Sequence, residues 1–179
     1  MQIGFKEWAL VCEALGTGQQ SLILRKGGIA EGRDGFRFKH EEFCLFPTWF
    51  HEQLSKTTLS RDITLPEQSE DEIEIRYSVV VEWTKLVTDL EKLKSLHTLH
   101  ILHESVLDER FHYDDEKGVH VAFVRVFRLD PPARLKMEKR YGGCRSWVDL
   151  TEDMDAAMVS VISDEEHSRR RQLLEKLLS

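Results

Sequence analysis

Between residues 73 and 83 apolar and polar side chains alternate one for one. Ile73, Ile75, Tyr77, Val79, Val81 and Trp83 share one face, and Glu74, Arg76, Ser78 and Glu82 share the other. A period of two is the signature of a half-buried strand, commonest in antiparallel sheets. Val119–Leu129 is apolar on both faces and predicts an interior strand, ended by Asp130-Pro131-Pro132. Phe5, Trp8, Cys12 and Leu15 recur at helical spacing and predict a helix over 4–15, stopped at Gly16. Short strands are expected at Leu22–Leu24, 35–39 and Glu42–Phe46. Thr84 reads as the cap of a helix whose apolar stripe is Leu86, Val87, Leu90 and Leu93. A further helix is expected over Ser105–Phe111, with short strands near Ser146–Leu150 and Ala156–Ile162. Ser163-Asp164-Glu165-Glu166 is a capping box and opens a helix to about residue 178.

These elements predict an α+β fold, a mainly antiparallel sheet packed with N- and C-terminal helices, with a small barrel of the PUA-like kind as the alternative closure. Its 179 residues suit a single domain over 1–179. An N-terminal third (1–54) is joined to the main sheet portion (73–179) by a connection over 55–72. That connection carries Pro66 and the acids Glu67, Glu70, Asp71 and Glu72.

Composition narrows the function classes. Apolar residues make up 41% of the chain, enough for a packed core, and charged residues 32%. The net charge of -7 excludes attraction to nucleic acid or anionic membrane by bulk charge, so any such binding needs a local basic patch. Cys12, Cys44 and Cys144 are few, odd in number and far apart, which argues for a reducing compartment. No leader-like N-terminus and no apolar run of membrane-spanning length occur, so the cytoplasm is the expected location and no membrane partner is expected.

Such a patch is present. From His120 to Val148, Arg125, Arg128, Arg134, Lys136, Lys139, Arg140 and Arg145 face only Asp130 and Glu138, with Tyr141 and Trp147 interleaved. Clustered cations with aromatics suit single-stranded nucleic acid or a nucleotide, whereas a solvated surface balanced by the acids of 149–155 is the bland reading. Arg125, between Phe123 and Phe127, points either to an internal ion pair or to a ligand cavity. Lys26, Gly27 and Gly28 follow a short strand, where backbone N–H groups can approach a phosphate, or where a hairpin simply turns. The Walker A spacing is absent, and so is the glutamate-rich helix a Nudix hydrolase would need.

His97, His100 and His103 recur at i, i+3 and i+6, but the zinc spacing i, i+4 is missing, and polar positions at an element boundary are the simpler account. Glu7 and Glu13 are weak candidates for a metal-dependent nuclease, because the strand at Leu22–Leu24 brings no acid. No zinc, disulfide or tightly held organic cofactor is expected. Phosphate-directed residues are therefore Lys26, Gly27, Gly28, Arg125, Arg128, Arg140, Tyr141, Arg145 and Trp147. Two classes stay open: a nucleic-acid- or nucleotide-binding module, and an enzyme acting on a phosphate-containing substrate.

Several segments carry a family resemblance. They are Phe5-Lys6-Glu7-Trp8, Cys12-Glu13-Ala14-Leu15, Leu22 to Ile29, Leu45-Phe46-Pro47-Thr48 with His51, and Tyr141-Gly142-Gly143-Cys144-Arg145-Ser146-Trp147. Over residues 4 to 175 the chain resembles the bacterial domain-of-unknown-function family numbered 1802. The resemblance implies one intact domain and carries no activity with it.

Overall fold

The computed structural model describes residues 2–26, 36–60, 69, 71–152, 154 and 156–179. In chain order these form β1 (Ile3–Trp8), α1 (Ala9–Gly16), β2 (Leu22–Arg25), β3 (Glu42–Thr48), β4 (Glu72–Val87) and α2 (Leu90–Ser95). Then come α3 (Glu104–Phe111), β5 (Val119–Lys136), β6 (Trp147–Asp149), β7 (Ala157–Ser160) and α4 (Asp164–Leu178). One seven-stranded sheet takes them in the order β2-β5-β4-β3-β1-β6, with β7 on β5. β1 and β3 run parallel and the other pairs antiparallel. The α+β, mainly antiparallel architecture is therefore as the pattern predicts. The sheet is open, however, and not a barrel: among the described residues no ladder joins its end strands β2 and β6.

Several local expectations are corrected. Residues 3–8 are a strand, and the helix begins only at Ala9. β1 lies between β3 and β6 with both of its faces covered, so Gly4, Phe5, Lys6 and Glu7 are all buried and the two-residue period is hidden. A side chain at Gly4 would meet Val148 and Leu150 at 2.9 Å, so glycine is what lets β6 approach. Residues 36–39 make no ladder, while Gly35 lies outside the described residues. Phe36 and Phe38 are instead held by an edge-on contact at 4.9 Å and by the Phe5 ring.

Thr84 is not a helix cap, because β5 offers partners as far as Val87 and the ladder continues. Asp89 caps α2, its carboxylate accepting from the Glu91 and Lys92 N–H groups. The proline pair does not end β5 either. A register shift between Ile75 and Tyr77 lets β4 pass it, and pairing resumes from Ala133 to Lys136. α4 starts where its capping box predicts, with Ser163 accepting from the Glu166 N–H.

Side chains alternate across β3, Phe43 and Leu45 entering one apolar cluster, Cys44 and Phe46 the other. The larger cluster packs under the helices. Burying each of its large side chains, such as Phe5, Phe43 and Phe123, is worth about 1.5–3 kcal/mol. Among the described residues no helix is long and apolar enough to cross a membrane.

Candidate functional site

At the open side of the sheet lies a cleft of about 440 Å³. Alternation along β1 sends Lys6 and Trp8 into it. The end of β2 supplies Arg25 and Lys26, α3 and the residues after it supply Arg110 and Tyr113, and the segment before β6 supplies Gly143, Cys144 and Arg145. The β1–β6 ladder, with the Lys6 N–H donating to the Ser146 carbonyl at 2.8 Å, brings the two ends of the sequence together here. Arg25 bridges the same gap, donating to Ser146 Oγ at 3.0 and 3.3 Å.

The cleft is strongly cationic. Lys6, Arg25, Lys26, Arg110 and Arg145 line it against Glu109 alone, five charges minus one, in a chain of net charge -7. Glu109 is itself engaged by Lys56 at 2.9 Å. Lys6 is 7% exposed and meets carbonyls rather than a carboxylate, its Nζ donating to Gly142 at 3.2 Å and Gly143 at 3.0 Å. Burial and then the charge of Arg145 push its ammonium below the ordinary lysine value. Arg145 is exposed and has no hydrogen bond or ion pair among the described residues. Arg110 lies over the Trp8 ring at 4.9 Å and donates to the Leu24 carbonyl. Its burial lowers its proton affinity, Glu7 partly opposing this and Arg25 adding to it. Lys26 differs from the rest: Asp114 stands 2.8 Å away, and the Glu116 carbonyl accepts from it. Four poorly neutralised cations held at one concavity store a repulsion that an anion would relieve.

The structure brings Lys26 and Arg145 together here and disperses the other phosphate candidates. Gly27 and Gly28 lie outside the described residues. Arg125 pairs with Asp164 at the start of α4. Arg128 is exposed on β5, with Tyr77 and Val159 as its ladder partners. Arg140 pairs with Glu138 at 3.1 Å over the Tyr141 ring. Tyr141 is buried in the smaller apolar cluster, its hydroxyl 3.0 Å from Thr151 Oγ1. Trp147 packs among Phe5, His40 and Phe43 at 4.8–5.0 Å, with its Nε1–H buried and unpartnered. None of these five lines the cleft.

Sequence reasoning missed Lys6, Trp8, Arg25, Arg110 and Tyr113. Reading residues 4–15 as a helix hid the first two, and Arg110 and Tyr113 sit at a helix end with no local signal. Arg25 was visible as the neighbour of Lys26. The histidines do not converge: His97 and His103 are exposed, while His100 is buried with Nδ1 accepting from the Leu102 N–H at 3.1 Å. Burial above all, then Arg110 and His97, push His100 down to about 4. Among the described residues no group of three His, Cys, Asp or Glu side chains is placed to hold a metal ion. Glu7 is buried and accepts from the Trp8 N–H at 2.8 Å, and Glu13 lines a different cavity.

Fold and cleft together define an α+β protein with an open, mostly antiparallel sheet and a cationic cleft. The chain belongs to the family described as Domain of unknown function (DUF1802), whose profile matches residues 4–173. Among solved structures it is similar to an ASCH protein from Zymomonas mobilis, at 10% identity and a TM-score of 0.47, over 96% of this chain and 94% of that one. Two point mutants of the same protein give TM-scores of 0.48 and 0.46 at 10% and 11% identity, each over 96% of this chain and over 94% and 96% of theirs. No protein with a curated description matches in sequence.

Proposed function

We propose that the chain is a binding module for a phosphate-bearing ligand, a nucleotide or single-stranded nucleic acid, held in the cleft between β1, β2, α3 and the segment before β6. The observation that carries this reading is the convergence of five cations on one concavity of a net acidic chain. Lys6 and Arg145 grip the phosphate, Arg145 through its planar fork and Lys6 as a point charge. Tyr113, 56% exposed, offers a face on which a base stacks. Metal-assisted hydrolysis, by contrast, needs carboxylates converging on the phosphate, and Glu109, the one carboxylate lining the cleft among the described residues, is turned to Lys56. The buried Cys12 and the exposed Cys144, neither in a disulfide, fit a reducing cytoplasm.

A salt titration of binding to short single-stranded RNA and DNA tests the proposal. Four cations without carboxylate partners give a slope of log K against log salt of about -3, so affinity falls about 50-fold from 50 to 200 mM. Arg145→Ala removes one contact without disturbing a hydrogen bond or ion pair among the described residues, and the same change then costs about 20-fold. No binding at low salt, or an unchanged slope in Arg145→Ala, overturns the reading.

A further inference from the structure

A second cavity, of about 310 Å³, shares no lining residue with the cationic cleft. On β3, Thr48 lines the cleft while Leu45 and Pro47, of opposite parity, line this pocket, so the two cavities lie on opposite faces of the β1–β3 ladder. Its volume falls in the range of small-molecule sites. Pro47, Trp49 and Met137 provide apolar wall, and among the described residues no aromatic ring packs on Trp49.

The polar end is built from charges that nearly cancel. Tyr77 donates its hydroxyl to Glu13 Oε2 at 3.0 Å, and Arg76 Nη1 stands 3.5 Å from Glu13 Oε1. Arg76 also donates to Glu74, which Arg134 approaches at 3.4 Å. Burial and the Glu13 charge push the Tyr77 phenol up to about 12, so it remains a donor and holds the Glu13 carboxylate in place. A bound phosphate would face Glu13, Glu72 and Glu74, and a bare ammonium would face Arg76 and Arg134. Neither ion suits the pocket. What it does present is a fixed acceptor, Glu13, beside a guanidinium donor, Arg76, next to an indole free of ring partners.

We propose that this pocket is a second ligand site that takes an uncharged planar heteroaromatic ring of nucleobase size, stacked on Trp49 and read along its donor–acceptor edge by Glu13 and Arg76. The inference does not rest on the reading of the cationic cleft, since its ligand carries no phosphate.

The full chain is titrated with adenosine, guanosine, cytidine, uridine and nicotinamide up to about 1 mM, followed by indole fluorescence and by amide shifts in NMR spectra. At least one probe is expected to quench fluorescence saturably, and Trp49→Phe to abolish that quench. A nucleoside response assigns a nucleobase, and a nicotinamide response assigns a carboxamide-bearing ring. Glu13→Gln keeps an oxygen for Tyr77 and is expected to weaken binding about tenfold or more by removing a charged acceptor. Arg145→Ala is expected to leave it unchanged. No response to any probe in either measurement overturns the proposal. So does binding that survives in both Glu13→Gln and Trp49→Phe, or binding that is lost in Arg145→Ala, which would place the ring in the cleft.

Discussion

Lowering the pH should destabilise this protein through His100. The ring is 5% exposed, and its Nε2 is buried without a partner. It therefore stays neutral in the folded chain down to about pH 4, against an ordinary 6.5 once unfolded. Because the folded value is the lower one, the unfolded chain takes up the proton first. Stability is complete above 6.5, declines as pH falls, and levels off only below 4. Two-state linkage with these values gives a loss of about 2 kcal/mol between pH 7.5 and pH 5, or about 4–8 °C in melting temperature for a chain of this size. Urea denaturation at both pH values measures it. Other groups titrate in the same window, so the comparison is with His100→Asn, whose side-chain oxygen can still accept from the Leu102 N–H but which cannot take a proton. The pH dependence of the variant should be smaller by about 2 kcal/mol. An equal pH dependence in both proteins would show that His100 is not the source of the loss.

Gly16→Ala should cost about 1–3 kcal/mol in urea denaturation, because its Cβ would lie 2.0 Å from a Tyr77 ring that is itself buried and tied to Glu13. Ser163→Ala removes the cap of α4 and should cost about 1 kcal/mol, with faster hydrogen exchange in the first turn of that helix. Lys26→Ala should flatten the salt dependence of nucleic-acid binding less than Arg145→Ala does, since Asp114 already neutralises Lys26.

Where one face of an element is buried and the other is not, the sequence announces it. The alternation at 73–83, the two-sided apolar run at 119–129 and the capping box at Ser163 all became the expected elements. β1 is illegible because Phe5 packs into the larger apolar cluster while Lys6, on the opposite face, lies under the Gly142–Gly143 segment, so both faces are buried and Phe5 and Trp8 mimic a helical repeat. The ends of β4 and β5 were misjudged because a distant partner strand decides them, overriding Thr84 and the proline pair. The candidate site suffered from the same non-locality. Counting cations between 120 and 148 found Arg145, but it also gathered Arg125 and Arg140, whose acids, Asp164 and Glu138, engage them elsewhere on the surface. Lys6, Arg25 and Arg110 are isolated in sequence and meet only through the sheet order.

The pairing of β1 with β6 sets a time at which the cleft can exist. Arg145 and the strand that seats it are synthesised about 7 to 30 s after Lys6 at ordinary elongation rates. Until then the β6-facing edge of β1 has no strand to pair with, and the carbonyls of Gly142 and Gly143 are not there to receive the Lys6 ammonium. A nascent chain stalled before residue 145 carries three of the four poorly neutralised cations and cannot assemble the grip. On the proposed reading of the cleft, a fragment that ends before residue 145 does not hold the ligand.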